Sequence, residues 1–585
     1  MHLKNVLLSL IGLCCGLTTL AQSTQWYNPM DEPIPVIHNQ AWSAELKGSY
    51  HRMPDRMEKA IMEQTERKFW ALTKNSAGEK LVFRTNSKKV SVRYVTESKN
   101  FSMKHMPATG VSGVDLYAVD QNGKWTSCNP KFSYWYGDTC GVNYFVDYVE
   151  TTEENGYEFH LYLPLYNGVE YLKIGVDEGS TMRFEPPTQE KPIVIYGTSI
   201  AQGACASRPG NAWTNIVDRL LEHPVINLGF SGSAKMDPVM QGFIDEIDAQ
   251  MYILDNMENM LAKNVYESSL QCCRLLRKDH PDVPILLMEH SGWPDRDVNL
   301  ASRNESDSIN IELRRVYDTL IGEGMSGLYY MTREEIGLDT ECFVEGIHPN
   351  DYGMMIQGKS TAKKIQEILG EHASALFTPV RQNRDPYNWR GRHEDVLALN
   401  AAEKPDIVMI GNSITHYFGG EPKAHLIRGQ KSWESLTKGL KVHNLGFGWD
   451  RIENGLWRIY HGELDGYEAR KVFLLLGTNN VVKNTDEEIV SGILELVQAV
   501  REHQPKAKIY VCGIMPRHGW GPRVLGVNSL LEKAIKAQPN LTFVDFSPLG
   551  DSEGVLLEPY REDGTHPNAE GYAAEAKILK KYFKE

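Results

Sequence analysis

Two serines stand on turns that follow apolar runs: Ser413 in "PDIVMIGNSITHYFGG" and Ser199 in "KPIVIYGTSIAQGACAS". A serine hydroxyl becomes a useful nucleophile only when a base takes its proton. The base in turn needs an acid to fix its tautomer and stabilise the imidazolium. Far downstream, "YREDGTHPNAEGY" supplies Asp563 and His566, and "VEGIHPNDYG" supplies Glu345 and His348 at the same three-residue offset. The residue types therefore predict two relays, Ser413–His566–Asp563 and Ser199–His348–Glu345. Their chemistry would be acyl transfer through an acyl-serine, with no metal or organic cofactor required. Each piece alone has a plainer reading, since serine after a strand and aspartate before a helix both serve as caps. Glu345 is one methylene longer than aspartate; it still reaches a histidine Nδ1, with its orientation left open.

Acyl transfer also needs donors for a developing oxyanion, and losing one typically costs ~10² to 10³ in turnover. Two strand ends, "NLGFGWD" and "LLLGTNN", offer the backbone N–H of Gly448 or Trp449 and the amide of Asn479. The first copy offers Gly232 in "NLGFSGSAKMD" and Asn259 after "MYILD", with Asn256 a rival because the sequence Gly-x-Asn is missing there. His416, three residues after Ser413, is placed at the pocket mouth rather than cast as a second base.

The elements that must position these groups are βαβ units. "IVIYG", "VINLGF", "MYILD" and "VPILLME" are short apolar runs separated by amphipathic stretches such as "VYESSLQCCRLLRK", and the texture restarts with "PDIVMIG", "VHNLGF", "KVFLLLG" and "AKIYVCGIM". This predicts two α/β domains with parallel sheets covered on both faces. Before them, "LVFRTNSKKVSVRYV" and "YEFHLYLPLYNGVEYLKIGVD" alternate at period two around turns such as "QNGK", the pattern of antiparallel strands. A β-sandwich of jelly-roll type is expected, joined onward by the proline-stiffened "EPPTQEKP". Trp213 and Trp457 fall on helical patterns and are assigned to the core. Trp26, Trp125 and Trp135 in the β-rich part have the geometry to stack on a sugar ring, although buried sandwich aromatics are commoner.

The chain has 585 residues and a formal charge of -14. That length calls for several domains, and the charge disfavours nucleic acid as a partner. Lys4 followed by an apolar stretch from Val6 to Leu20 and the small Ala21 reads as a secretory signal, too short for a good membrane span. Leu13 before Cys14 disfavours a lipid anchor. Seven further cysteines are too few for a disulfide scaffold, with Cys128 and Cys140 the nearest candidates for a bridge.

Serine, glycine, asparagine and Asp-x-x-His in that order resemble the four blocks of the SGNH (GDSL-like) hydrolase superfamily. The stretch "NLGFGWDRIENGLWRIYHGELDGYEARKVFLLLGTNN" is similar to the catalytic subunits of platelet-activating-factor acetylhydrolase and their bacterial relatives. Two departures stand out: Asn412 replaces the usual aspartate before the serine, and Trp449 replaces the oxyanion glycine. The first copy resembles exported SGNH esterases that follow a β-sandwich, on "GVDLY" and "LPLYNGVEYLKIGV". The resemblance implies three-layer, flavodoxin-like α/β domains. The expected division is a signal at 1–21, a β-sandwich at 25–185, hydrolase domains at 190–373 and 401–585, and a linker with a leading helix at 376–400. The expected function is an exported serine esterase that removes small acyl groups, acetyl above all, from a carbohydrate. The alternatives are a lipid or phospholipid acylhydrolase, or a carbohydrate-binding protein with one or both hydrolase domains inactive.

Overall fold

The computed structural model describes residues 23–584, apart from 66, 121–123, 132, 147–156, 371–376, 378 and 383–386. The predicted signal segment lies outside the described residues. Among those described, no helix is long and apolar enough to cross a membrane.

Two antiparallel sheets open the chain. One orders the strands Thr24–Tyr27, Val169–Asp177, Lys89–Thr96 and Cys140–Phe145. The other orders Met182–Phe184, Lys80–Thr85, Tyr157–Tyr162, Asp115–Val119 and Trp125–Ser127. Period-two alternation sends Val90, Val92 and Tyr94 from one sheet and Leu81, Phe83, Phe159 and Leu161 from the other into a shared core. Cys128 and Cys140 are buried there as free thiols, so the candidate bridge is not formed. Trp26 and Trp135 are not core residues: they are 37% and 36% exposed and flank the Arg93 guanidinium at 5.4 and 4.0 Å.

A stretch inside the expected β region is helical instead, at Glu58–Gln64 and Arg67–Thr73. Met57, Ile61 and Phe69 recur at helical spacing and enter one core with Leu228, Phe230 and Met240 of the first α/β unit. Their spacing was readable, but the strands around them dominated the composition.

The first α/β unit has strands β1 (Ile193–Gly197), β2 (Val225–Gly229), β3 (Met251–Asp255), β4 (Ile285–Met288) and β5 (Leu328–Met331). The second has β6 (Ile407–Gly411), β7 (Val442–Gly446), β8 (Lys471–Leu475), β9 (Lys508–Cys512) and β10 (Leu541–Val544). Both sheets are parallel, in the orders β2-β1-β3-β4-β5 and β7-β6-β8-β9-β10. This is the flavodoxin-like doubly wound order, in which ligands bind beyond the carboxyl ends of the strands where the order reverses. Ser199 and Ser413 follow the interior strands β1 and β6 at that point. Trp213 and Trp457 are fully buried, as their spacing predicted. The helix Trp389–Glu403 puts Trp389 and Val396 into the core of the second unit.

Candidate active sites

Ser413 begins the short helix Ser413–His416, capped by Asn412, whose Oδ1 accepts the Ile414 N–H at 2.9 Å. The Asn412 amide also donates to the Leu475 carbonyl at 3.2 Å, tying the turn to β8 in a way that an ionised aspartate cannot. Ser199 begins the matching helix Ser199–Gln202 behind Thr198. Both serines are 6% exposed.

The histidines come from loops that lead into the last helix of each unit. Ser413 Oγ lies 2.8 Å from His566 Nε2, and His566 Nδ1 lies 2.8 Å from Asp563 Oδ2. In the first unit Ser199 Oγ lies 2.9 Å from His348 Nε2, while His348 Nδ1 is hydrogen-bonded to Glu345 Oε1. Each hydroxyl thus donates towards a ring whose other nitrogen is held by a carboxylate, the geometry in which the ring can accept a serine proton.

The loop after β2 and the loop after β7 are built alike. Gly232 has φ +64 and Trp449 φ +63, so both make the same left-handed turn, which glycine adopts freely and tryptophan must be held in. One residue earlier, the Ser231 N–H donates to Gln202 Oε1 at 2.9 Å and the Gly448 N–H to His416 Nδ1 at 3.1 Å. Gly448 is therefore not the oxyanion donor in this arrangement, because its amide is already bonded. His416 is not at the pocket mouth either; it is buried, and burial, followed by the nearby Arg392, His425 and Arg458, lowers its pKa far below the ordinary value. It is a neutral acceptor that fixes the loop. The asparagines match as well: the Asn259 amide donates to the Ser233 carbonyl at 2.7 Å and the Asn479 amide to the Asp450 carbonyl at 2.9 Å, each with a second N–H still to place. The rival Asn256 is fully buried and bonded to the Ala234 carbonyl.

A further pair was not foreseen. Arg52 Nη1 donates to the carbonyls of Asn227 (3.1 Å) and Gly229 (2.7 Å), and Arg392 donates through Nη2 to Asn444 (3.1 Å) and through Nε to Gly446 (2.8 Å). These carbonyls lie on β2 and β7, the edge strands of the two sheets, where they would otherwise lack ladder partners. Burial pulls both guanidinium groups down to about 10, still charged at neutral pH. Each arginine precedes its unit by many residues, so the signal was present only as an arginine in "SYHRMPDR" and in "YNWRGRHE".

The surroundings differ. At the first site the Tyr166 hydroxyl donates to the Ser199 carbonyl at 3.2 Å, and the exposed His105 ring stacks on His348 with centroids 5.5 Å apart; both reach in from the β-rich unit. At the second site the wall is Tyr417, 5.4 Å from the His566 ring, with Arg428 Nη1 3.8 Å from Asp563. Trp449 is 52% exposed at the rim.

Comparison with known proteins agrees with this double arrangement. Residues 190–366 and 409–574 each match a "GDSL-like Lipase/Acylhydrolase family", and 24–182 match the "N-terminus of Esterase_SGNH_hydro-type". The chain is 30% identical to platelet-activating factor acetylhydrolase IB subunit alpha1 of Rattus norvegicus, over 36% of this chain and 88% of that protein. The chain belongs to the GDSL/SGNH hydrolase superfamily. The human alpha1 subunit gives the same identity and coverage. A crystal structure of a candidate GDSL-like lipase from Bacteroides ovatus is similar to this hydrolase with a TM-score of 0.52 and 27% identity, covering 60% of this chain and 98% of that one. Membership in the superfamily supports a carboxylic ester hydrolase.

Proposed function

We propose that this hydrolase is an exported serine esterase with two active sites, each removing small acyl groups, acetyl above all, from a carbohydrate. The observation that carries the esterase reading is the pair of short Ser Oγ to His Nε2 separations, 2.9 and 2.8 Å, each backed by a carboxylate. As Ser413 attacks the ester carbonyl, His566 Nε2 takes its proton and Asp563 steadies the imidazolium through Nδ1–H. The oxyanion falls to the Trp449 N–H and the second amide hydrogen of Asn479. His566 then returns the proton to the leaving alcohol, and water releases the acyl group by the same route in reverse. Ser199, His348, Glu345, Gly232 and Asn259 take these roles at the first site.

Acetyl preference draws support from the acetylhydrolase relatives and from the Trp449 indole at the rim. Export draws support from the charged and apolar character of residues 4–20, and the carbohydrate from export together with the exposed Trp26 and Trp135 of the β-rich unit.

A fluorophosphonate probe followed by peptide mass analysis tests the relays. Labelling of both Ser199 and Ser413 is expected, with Ser199→Ala and Ser413→Ala each losing one label and at least ~10³-fold of their own site's turnover. Labelling of neither serine would leave a binding protein. Faster release of octanoate than acetate from nitrophenyl esters would replace the acetyl reading with a lipid acylhydrolase.

A further inference from the structure

The first site brings together more than its relay needs. His105 from the β-rich unit, Cys205 from the loop behind the nucleophile and His348 of the relay each offer one ligand atom, and these lie within 4.8 Å of one another. Two imidazoles and a thiolate are a borderline-soft set suited to Zn²⁺, which takes four ligands and would find its fourth in water or Ser199 Oγ. Glu345 holds His348 Nδ1, so the ring presents Nε2, and a carboxylate behind a ligating histidine is the usual second partner at such centres. Cys205 sits at φ +69, a conformation a β-carbon disfavours, and its thiol donates to the His105 carbonyl at 3.4 Å. That bond ties the sulfur to the loop that carries the His105 imidazole. His105 is exposed and gives a hydrated ion a way in.

We propose that His105, Cys205 and His348 form a Zn²⁺ site that switches off the first relay and leaves the second running. On binding, the Cys205 thiol loses its proton to solvent as the sulfur–metal bond forms. The Nε2 lone pair turns from the Ser199 hydroxyl to the metal, so the serine loses its base, and no oxidant or reductant takes part. Among the described residues the second site lacks the set: Gly419 stands six residues after Ser413, where Cys205 stands six after Ser199, and Tyr417 flanks His566. A second cluster among the described residues, Glu190, His223 and His461, is already spent, since both His461 nitrogens face main-chain carbonyls at 2.6 and 3.0 Å.

The inhibition rests on Ser199 being a nucleophile, whereas the metal binding does not, and the test separates them. Full-length Ser413→Ala reports the first site and Ser199→Ala the second, each assayed on nitrophenyl acetate during a ZnCl₂ titration. Zn²⁺ should lower the first site's rate at least tenfold, reversibly with EDTA, and change the second site's less than twofold. Cys205→Ser and His105→Ala, each made in Ser413→Ala and compared with its own metal-free rate, should need about 10 to 100 times more Zn²⁺ for half-inhibition. Independently of activity, Co²⁺ added alone to the wild-type chain should give visible d–d absorption and a near-ultraviolet thiolate band, both diminished in Cys205→Ser and His105→Ala. Equal inhibition of the two sites, or Co²⁺ spectra that ignore both substitutions, would overturn the proposal. An inactive protein that keeps a Cys205-dependent Co²⁺ spectrum would overturn the esterase reading and the inhibition that rests on it, while upholding the metal site.

Discussion

Glu345 and Asp563 hold equivalent histidines with different grips. Asp563 divides its oxygens: Oδ1 takes the N–H groups of Thr565 and His566, both at 2.7 Å, and Oδ2 takes the imidazole. Burial works against its charge, but those backbone donors and His566 outweigh it and lower its pKa. Glu345 meets both the His348 N–H, at 3.0 Å, and Nδ1 with the single atom Oε1. Burial lowers the pKa of His348, Glu345 partly opposes this, and His105 adds to the lowering. A general base works in its neutral form, so a lowered pKa keeps it competent at lower pH. The kcat/KM profile of Ser413→Ala should therefore lose activity only below the ordinary histidine value of 6.5; an acid limb at or above that value would contradict the environment described. The grouping of each serine with its histidine and carboxylate was legible from type and order alone, whereas Asn259 and Asn256 could not be told apart until the packed loop gave them different partners. The fate of the Gly448 amide was not legible either, because it depends on a ring 32 residues away that only the packed turn brings near.

At the scale of elements, the nucleophile turn is pressed onto the neighbouring strand. A β-carbon on Gly446 would lie 2.3 Å from the His416 backbone nitrogen, and one on Gly229 2.2 Å from that of Gln202. Neither contact can be relieved by a side-chain rotation. Gly446→Ala is expected to cost about 1 to 3 kcal/mol by overpacking and to displace Ser413 from His566. Urea denaturation and turnover of Gly446→Ala in Ser199→Ala check this, and a variant with unchanged midpoint and rate would show that the turn has slack. Four strands of each parallel sheet could be read from short apolar runs followed by amphipathic stretches. The fifth is an edge strand of four residues, "LYYM" or "LTFV", too short to stand out, and the latter has only Val544 buried.

Across the whole molecule, the proline-flanked linker proves to be fastened. Glu190 accepts from Arg390 at 2.9 Å and pairs with His393 Nε2 at 3.1 Å, while His393 Nδ1 meets Glu463 at 2.9 Å. The group is completed by Glu394, beside Arg390, and by the His461 imidazole, and Arg458 binds Glu463 from the other side. Burial opposes charge on His393, yet the two carboxylates outweigh it and raise its pKa. A raised histidine pKa contributes stability that is fully present below the unfolded value of about 6.5 and is lost as pH rises through the folded value. Calorimetry should show Tm falling as pH rises through that range, by about 1 °C for each kcal/mol lost from a chain of this length. His393→Leu should remove that component of the slope; an unchanged slope would mean that the cluster carries no linked proton.

The paired arginines also bear on how the molecule can be cut. Arg392 and the helix it rides on stay with the second half in three dimensions, so a gene fragment opening at residue 401 would leave β7 as a raw border with Asn444 and Gly446 carbonyls bare and a hole where Trp389 had been. Such a piece should polymerise along that border, whereas one opening before Phe377 carries its own selvedge and should stay dispersed.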